Sequence, residues 1–200
     1  MCYNREMKYL ILSTILLLSP FCYARESFIN DWPNREFLGD YLSNENEPLP
    51  DFIARLGNVL NEYTSQTGFE ACGFIGVNNS ENATKYGVSL YSDKVQRGCT
   101  MSQRDLPNGF LSTGETIHSH PNKQILYLTS DDVAWNKLRG KRVFTRTMTI
   151  EPGFSNGDLK AGAGWLIHHK VIRYFNGKSG KGRYVGVLSP IEMMPQKENN

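Results

Sequence analysis

His118 and His120 stand two residues apart in the run His118-Ser119-His120-Pro121. In an extended strand, residues two apart project from the same face, so both imidazoles can reach one metal ion. A carboxylate from elsewhere in the chain would supply a third ligand and leave a fourth position for water, as catalytic zinc requires. The run therefore predicts a metal site. The alternative is that both histidines are solvated or hydrogen-bonded on one strand face.

The elements that would position this site mix helices and strands. The apolar residues between Pro50 and Gly68 recur at helical spacing, and Pro50 suits the first turn of a helix. A shorter helix is predicted over 132–138, and aromatic residues within 25–46 favour another. Apolar runs predict strands at 69–77, 86–91, 115–120, 143–150, 164–167, 171–175 and 184–188, of which the first two form a hairpin. This mixture predicts an α/β (α+β) fold.

Length and composition predict one exported domain. With 200 residues and 40% hydrophobic content, the chain suits a single globular domain with its own core. Residues 1–24 have the pattern of a secretory signal peptide, because Arg5 and Lys8 precede an apolar run that ends before Ala24, the expected cleavage position. That run, of roughly ten residues, is too short to span a membrane. We therefore expect residues 25–200 to form one periplasmic or secreted domain, with no stable membrane insertion after cleavage.

Charge and cysteine content limit the partners and leave one bond undecided. The formal net charge of +2 gives no strong field for nucleic acid, so no nucleic-acid partner is expected. Cys72 and Cys99 remain after signal cleavage, in a compartment that permits disulfides. Their spacing leaves two alternatives open, a disulfide between them or a buried free thiol at Cys72.

Three elements in order make the chain resemble the JAMM (MPN/JAB-type) zinc metalloprotease family. The first is a Glu-x-Cys-Gly strand, matched by residues 70–76. The second is His-x-His-Pro, matched by residues 118–121, and the third is Ser-x-x-Asp, matched by residues 155–158 or, with Thr for Ser, by residues 129–132. The resemblance spans about residues 50–175, and it implies a central mixed sheet flanked by helices, of the cytidine-deaminase-like kind, with the metal at the edge of the sheet.

The resemblance also implies a role for each group. His118, His120 and an aspartate would bind Zn²⁺, and Glu70 would take a proton from the water that zinc acidifies and later protonate the leaving amine. The Ser or Thr of the tetrad would donate a hydrogen bond to the oxyanion, worth on the order of 3 kcal/mol. Glu115 is an alternative base, but its odd spacing from both histidines points it to the other face of a regular strand. Glu70 is therefore preferred unless a bulge intervenes.

Two tetrads compete for the third ligand. Ser/Thr-x-x-Asp is also a helix N-cap pattern, which explains residues 129–132 well because a helical segment follows, and residues 155–158 poorly because residues 161–164 are a weak helix. Asp158 is therefore the expected ligand and Ser155 the oxyanion donor, with Asp132 and Thr129 as the alternative pair. Residues 159–166 also resemble the segment after the aspartate in secreted and toxin-associated bacterial members. The stretch between the tetrads would then be an insertion that borders the substrate cleft.

A second histidine pair, His168 and His169, is adjacent in sequence. Neighbours on a strand face opposite ways, so these two are not predicted to bind one metal. With the nearby lysines and arginines they make the C-terminal hairpin basic, which suits a solvated edge that discourages strand pairing. Contact with an anionic envelope polymer is the alternative.

These observations lead to a functional prediction with two alternatives. The resemblance implies a zinc-dependent metallopeptidase that hydrolyses a peptide or isopeptide bond with metal-activated water. For an exported protein, the stem peptides of peptidoglycan are an accessible amide substrate. The alternatives are a non-catalytic MPN-like binding module and a secreted antibacterial toxin that uses the same chemistry. The sequence does not indicate an oligomeric state.

Overall fold

The computed structural model describes residues 32–80, 83–123, 125–143, 145, 147–149, 152–178 and 180–189. The predicted signal peptide and residues 25–31 of the predicted N-terminal helix lie outside these ranges. The described residues from Asn34 onward belong to one compact unit. No helix within the described ranges is long and apolar enough to cross a membrane.

Most of the described strands form one mixed sheet. The elements in chain order are β1 (Glu36–Leu42), α1 (Leu49–Thr67), β2 (Cys72–Asn79), β3 (Thr84–Ser92), β4 (Leu111–Ser119), β5 (Ile125–Tyr127), α2 (Ser130–Leu138), β6 (Thr147–Thr149), α3 (Asn156–Ala161), β7 (Gly164–His168), β8 (Val171–Phe175) and β9 (Arg183–Val187). The seven-stranded sheet has the order β1-β3-β2-β4-β7-β8-β9, and β5 pairs with β6 separately. Its neighbouring strands are antiparallel except for β4 and β7, which run parallel. The protein is therefore of the mixed α+β class.

Helix α1 covers one face of this sheet, as its apolar spacing predicts. Pro50 lies in its first turn, and Gly68 ends it in the left-handed conformation (φ 75°), donating its N–H to the Thr64 carbonyl at 2.8 Å. The buried side chains of the helix pack in one core with residues of β2, β3, β4, β7 and β8, the shared set being Phe52, Ile53, Leu56, Leu60, Ile75, Val88, Leu90, Ile117, Ile167 and Ile172. Burial of this apolar face, more than helix propensity, stabilises α1.

Strand alternation separates this core from the opposite face of the sheet. Ile117 and Ile167 belong to the core against α1, whereas Leu166 joins Phe154 and Phe175 in a second apolar cluster. Neighbouring residues on a strand point to opposite faces, so the even-numbered positions at the end of β4 face away from α1. This puts His118 on the face of the second cluster, at the carboxyl end of the central strand. His118 therefore lies where the central strand ends, and not beside one of the two outer strands of the sheet.

Two secondary-structure predictions need correction. The predicted helix within 25–46 is wrong where the structure describes it, because Glu36–Leu42 is strand β1, paired with β3. A bulge between Phe37 and Gly39 shifts the side-chain alternation by one residue, so the apolar spacing imitates a helix. The predicted strand at 143–150 is assigned only over Thr147–Thr149, and its partner, Ile125–Tyr127, was not predicted.

Candidate metal centre

Two buried histidines lie at the end of β4, between strands on both sides. His118 pairs with Cys72 of β2 and with Leu166 of β7, and the His120 N–H continues the ladder by donating to the Ile167 carbonyl at 3.0 Å. The two imidazole rings have centroids 5.0 Å apart. Because the sheet fixes both backbones, the rings converge on the same side, as the His-x-His spacing predicts.

The third member of the group is Asp158, from the first turn of α3. Its Oδ2 atom lies 3.6 Å from Nε2 of His118 and 3.4 Å from Nε2 of His120. One ligand atom from each of the three residues lies within 4.8 Å of the others, a separation that one metal ion can bridge. Helix α3 directly precedes β7, the parallel neighbour of β4. This chain path brings a carboxylate 38 residues beyond His120 to the imidazoles.

Ser155 and Asp158 also cap helix α3, contrary to the argument from sequence that this tetrad has little to cap. Ser155 Oγ accepts the Asp158 N–H at 3.3 Å, and Asp158 Oδ2 accepts the Ser155 N–H at 2.7 Å, forming a capping box. The tetrad therefore both caps the helix and brings its aspartate to the histidines. Because Ser155 Oγ accepts the amide hydrogen, its own hydroxyl hydrogen remains able to donate.

The alternative tetrad has a different position and role. Asp132 is 1% exposed and its carboxylate accepts hydrogen bonds from the backbone and side chain of Thr129, at 2.8 and 2.9 Å, and from the backbone and side chain of Gln96, at 2.7 and 2.9 Å. Thr129 caps helix α2, as the sequence indicates. Among the described residues, the group of ligand atoms within bridging distance contains Asp158 and does not contain Asp132. Asp132 instead anchors the segment that follows β3.

The end of β3 and the segment that follows it hold the Glu70 backbone. Glu70 N–H donates to the Val95 carbonyl at 3.1 Å, and Ser92 Oγ donates to the Glu70 carbonyl at 2.7 Å. Cys99 forms a disulfide with Cys72, so the two cysteines are paired and the free-thiol alternative is wrong. The bond ties this segment to β2 directly beside His118.

The Glu70 carboxyl group is buried beside the histidines. Its Oε1 atom lies 3.9 Å from Nε2 of His120, and the residue is only 6% exposed. Burial raises the pKa of Glu70 well above its usual range, and the negative charge of Asp158 raises it further, whereas a hydrogen bond from the Gly98 backbone lowers it. A bound cation would favour the ionised form. The carboxyl group is therefore positioned to gain and lose a proton next to the candidate ligands.

The backbone of residue 98, which donates a hydrogen bond to Glu70, has a conformation and a close neighbour that favour glycine at this position. Gly98 has a φ of +140°, and a Cβ atom there would overlap the ring of Trp135. Trp135 Nε1 in turn donates to Asp93 Oδ2 at 2.7 Å. Close packing of α2 on this segment therefore sets the place of the Gly98 N–H.

Three further acidic or basic residues that the sequence analysis considered lie outside the group. Glu115 accepts hydrogen bonds from Trp165 Nε1 at 2.9 Å and from the Tyr174 hydroxyl at 2.7 Å, a structural role away from the imidazoles. His168 is buried with its ring 6.2 Å from that of His120, whereas His169 is exposed. The prediction that the adjacent pair faces opposite ways is wrong, because the strand ends at His168, His169 turns with a φ of 50°, and the two rings lie with centroids 4.3 Å apart. Burial lowers the pKa of His168 to about 4.

The donor set suits a divalent transition metal. His118 Nε2 is buried without a hydrogen-bond partner among the described residues, which leaves its lone pair or hydrogen unused. Burial lowers the pKa of His120, and although burial alone would raise the pKa of Asp158, the two histidines hold it well below its usual range. Neutral imidazoles and an ionised carboxylate are the forms that bind metal. Two nitrogens and one oxygen are typical of catalytic zinc, and iron or copper sites also use imidazole.

A cleft of about 640 Å³ opens over this group. Its lining includes Ser155 and much of the stretch between the two tetrads. The sequence analysis missed four basic residues in this lining, Arg97, Arg139, Lys141 and Arg142. The run Arg139-Gly140-Lys141-Arg142 was a signal that could have indicated a charged wall.

Comparisons with family models, curated proteins and solved structures find no match to the chain. The class of protein is therefore defined by the fold and the site alone. It is a mixed α+β protein whose buried His118, His120 and Asp158 could hold a metal ion.

Proposed function

We propose that this protein is a zinc-dependent metallopeptidase of the JAMM type that hydrolyses a peptide or isopeptide bond. One observation carries the proposal, the convergence of His118, His120 and Asp158 within 4.8 Å, with the buried Glu70 carboxyl group 3.9 Å from one of the imidazoles. A structural ion pair or a capping aspartate needs neither a second histidine nor a buried acid beside it. Three ligands with an open fourth position and an adjacent carboxylate are the requirements of metal-assisted hydrolysis.

Each residue has a separate task in this reaction. His118, His120 and Asp158 would hold Zn²⁺, which when bound lowers the pKa of a water molecule and polarises the scissile carbonyl. Glu70 accepts a proton from the attacking water and passes it to the leaving amine, so that one amide and one water become a carboxylic acid and an amine. The Ser155 hydroxyl lines the cleft and is the proposed donor to the oxyanion. Burial keeps bulk water from competing for the Glu70 proton.

The proposed location and substrate follow from the N-terminal pattern and the disulfide. A Cys72–Cys99 bond is stable in an oxidising compartment, which supports export after removal of residues 1–24. Within the envelope, the amide bonds of peptidoglycan stem peptides are the first substrates to test.

The experiment compares the zinc-loaded mature protein with Glu70→Gln. The wild type is expected to contain about one zinc and to cleave peptides, isopeptides or muropeptides, whereas Glu70→Gln retains zinc and loses at least ~100-fold in kcat. Glu115→Gln is the matched control, because its carboxylate bonds to Trp165 and Tyr174 outside the group. Its kcat should change by less than about threefold.

The outcomes separate the proposal from its alternatives. Zinc content without turnover on any substrate panel would favour the non-catalytic binding module. Equal loss of turnover in Glu115→Gln and Glu70→Gln would refute the assignment of Glu70 as the base. Killing of a competitor strain by the active protein alone would favour the toxin, with the chemistry unchanged.

A further inference from the structure

The wall of the cleft above the candidate metal centre is cationic. Arg97, Lys141 and Arg142 line the same cleft as Glu70 and Asp158. Arg97 comes from the segment after β3, and the other two follow helix α2, so two separate parts of the chain supply the charge. A positive wall facing a reaction centre attracts anionic groups and orients them.

These charges have no carboxylate partners within the described part of the chain. Lysines and arginines elsewhere in the described residues form the ion pairs Arg35–Asp105, Arg55–Glu47, Lys85–Glu45 and Lys94–Glu36, and none of these pairs includes Arg97, Lys141 or Arg142. Arg97 Nη1 lies 3.7 Å from the sulfur of Met148, a neutral neighbour. The positive charge is therefore left for a ligand.

Two of the three cations, Arg97 and Lys141, lie close enough to influence each other. Burial lowers the pKa of Lys141, and the positive charges of Arg139 and Arg97 lower it further. Like charges held together repel, and an anion bound between them would relieve that repulsion.

The backbone that carries the cationic wall is anchored by hydrogen bonds and by the disulfide. The Gln96 backbone and side chain both donate to the buried Asp132 carboxylate, and the Cys99 disulfide follows on the other side of Arg97. The Lys141 N–H donates to the Asn136 carbonyl at 2.9 Å, which fixes its backbone to α2. These contacts fix the backbone on both sides of Arg97 and at Lys141.

We propose that this cleft selects amide substrates that carry a carboxylate close to the scissile bond, bound by Arg97, Lys141 and Arg142. The inference rests on the proposed function and names its substrate class. With a divalent cation offsetting the charges of Glu70 and Asp158, the three cations remain uncompensated. The carboxylate can be the chain-terminal group or an acidic side chain, and the test distinguishes these two sources.

The binding experiment uses zinc-loaded Glu70→Gln protein, so that no ligand is consumed. Three peptides of equal length are titrated calorimetrically. The first has a central glutamine and an amidated C-terminus, the second has a central glutamate and an amidated C-terminus, and the third has the central glutamine and a free C-terminal carboxylate. We expect one of the two anionic peptides to bind about tenfold more tightly than the neutral peptide at low salt, from ion pairs each worth about two- to fivefold. The advantage should fall to about twofold at roughly 0.5 M NaCl.

A matched pair of double variants locates the effect. Lys141→Gln with Arg142→Gln, in the cleft, should remove most of the preference for the anionic peptide. Lys137→Gln with Lys178→Gln changes the net charge equally at exposed positions outside the cleft lining and should retain it. All four residues are exposed, and unfolding in urea with zinc content checks that each variant is intact.

Each outcome decides between the inference and the function on which it rests. Equal affinities for the three peptides, or a preference that survives in the cleft variant, would overturn the inference while leaving zinc-dependent hydrolysis standing. An anionic preference that the cleft variant abolishes, in a protein that hydrolyses no amide, would keep the ligand class and refute the peptidase. The peptide that binds more tightly identifies the source of the carboxylate.

Discussion

Asp158→Asn and Asp132→Asn are matched substitutions at the two competing tetrads, and they should have opposite effects. Asp158 Oδ2 lies 3.6 and 3.4 Å from the two imidazole nitrogens and is the charged member of the group. An amide of the same shape removes that charge. Loss of a residue that only orients a metal ligand costs 10–100-fold in affinity, so loss of a ligand should cost at least ~100-fold, about 2.7 kcal/mol.

Asp132→Asn should instead cost stability and keep zinc. Its carboxylate accepts four hydrogen bonds in a site that is 1% exposed, and an amide retains one acceptor oxygen in place of two. Leaving buried donors without a partner and weakening the α2 cap should lower the free energy of unfolding by about 2–4 kcal/mol. Zinc affinity should change by less than about fivefold, because His118, His120 and Asp158 are untouched.

The assay combines zinc competition against a chelating indicator with urea unfolding of the metal-free protein. Asp158→Asn should fail to compete for zinc and should unfold within about 1 kcal/mol of the wild type, since the amide can preserve part of the α3 capping box. Zinc retained in Asp158→Asn but lost in Asp132→Asn would refute the ligand assignment. Zinc lost from both variants, with equal destabilisation, would show that the site depends on the fold as a whole and not on a particular carboxylate.

Three further predictions concern the surroundings of the centre. Gly98→Ala should lower the free energy of unfolding by at least ~2 kcal/mol and reduce turnover, because the new side chain meets Trp135 at a backbone with φ +140°. Gly140→Ala is the control, since it has φ +70° and open space around it, and it should cost only about 1 kcal/mol in urea unfolding. Equal costs would contradict this packing argument. Removal of the disulfide by Cys72→Ala with Cys99→Ala should cost about 3–4 kcal/mol, as expected for a separation of 27 residues, and an unchanged urea midpoint would show that the bond does not limit the unfolded chain. Burial lowers the pKa of His168 from 6.5 to about 4, so the unfolded chain binds this proton at a higher pH than the folded protein does. The free energy of unfolding of the metal-free protein should therefore fall as the pH drops from about 6.5 to about 4, and His168→Gln should reduce that fall by about 1–2 kcal/mol. An identical pH profile in the variant would exclude His168 as the cause.

The sequence predicted those parts of the site that depend on local periodicity. The spacing of His118 and His120 puts both rings on one face of a strand in any fold, and the structure shows them converging. Helix α1 followed from apolar spacing bounded by Pro50 and Gly68. Strand β1 did not, because its bulge replaced regular alternation with a helix-like pattern. Local patterns therefore succeed where the backbone is regular.

The third ligand could not be derived from local pattern. Residues 129–132 and 155–158 both form a helix capping box, so local pattern does not distinguish the two tetrads. Asp158 reaches the histidines because α3 leads directly into β7, the parallel neighbour of β4, whereas Asp132 turns toward the segment at Gln96. Distance in the fold, and not residue type, separates the two aspartates.

By itself the sequence determined the kinds of donor available, the shared face of the two histidines and the mixture of helices and strands, because these depend on residue chemistry and on periods of two and 3.6 residues. Only the tertiary structure decided which aspartate joins them, that Cys72 pairs with Cys99, and that Arg97 and Arg142 share one cleft wall. Each of those facts joins residues that are distant in the chain. Such contacts are fixed by strand order and packing, which no local stretch of sequence encodes.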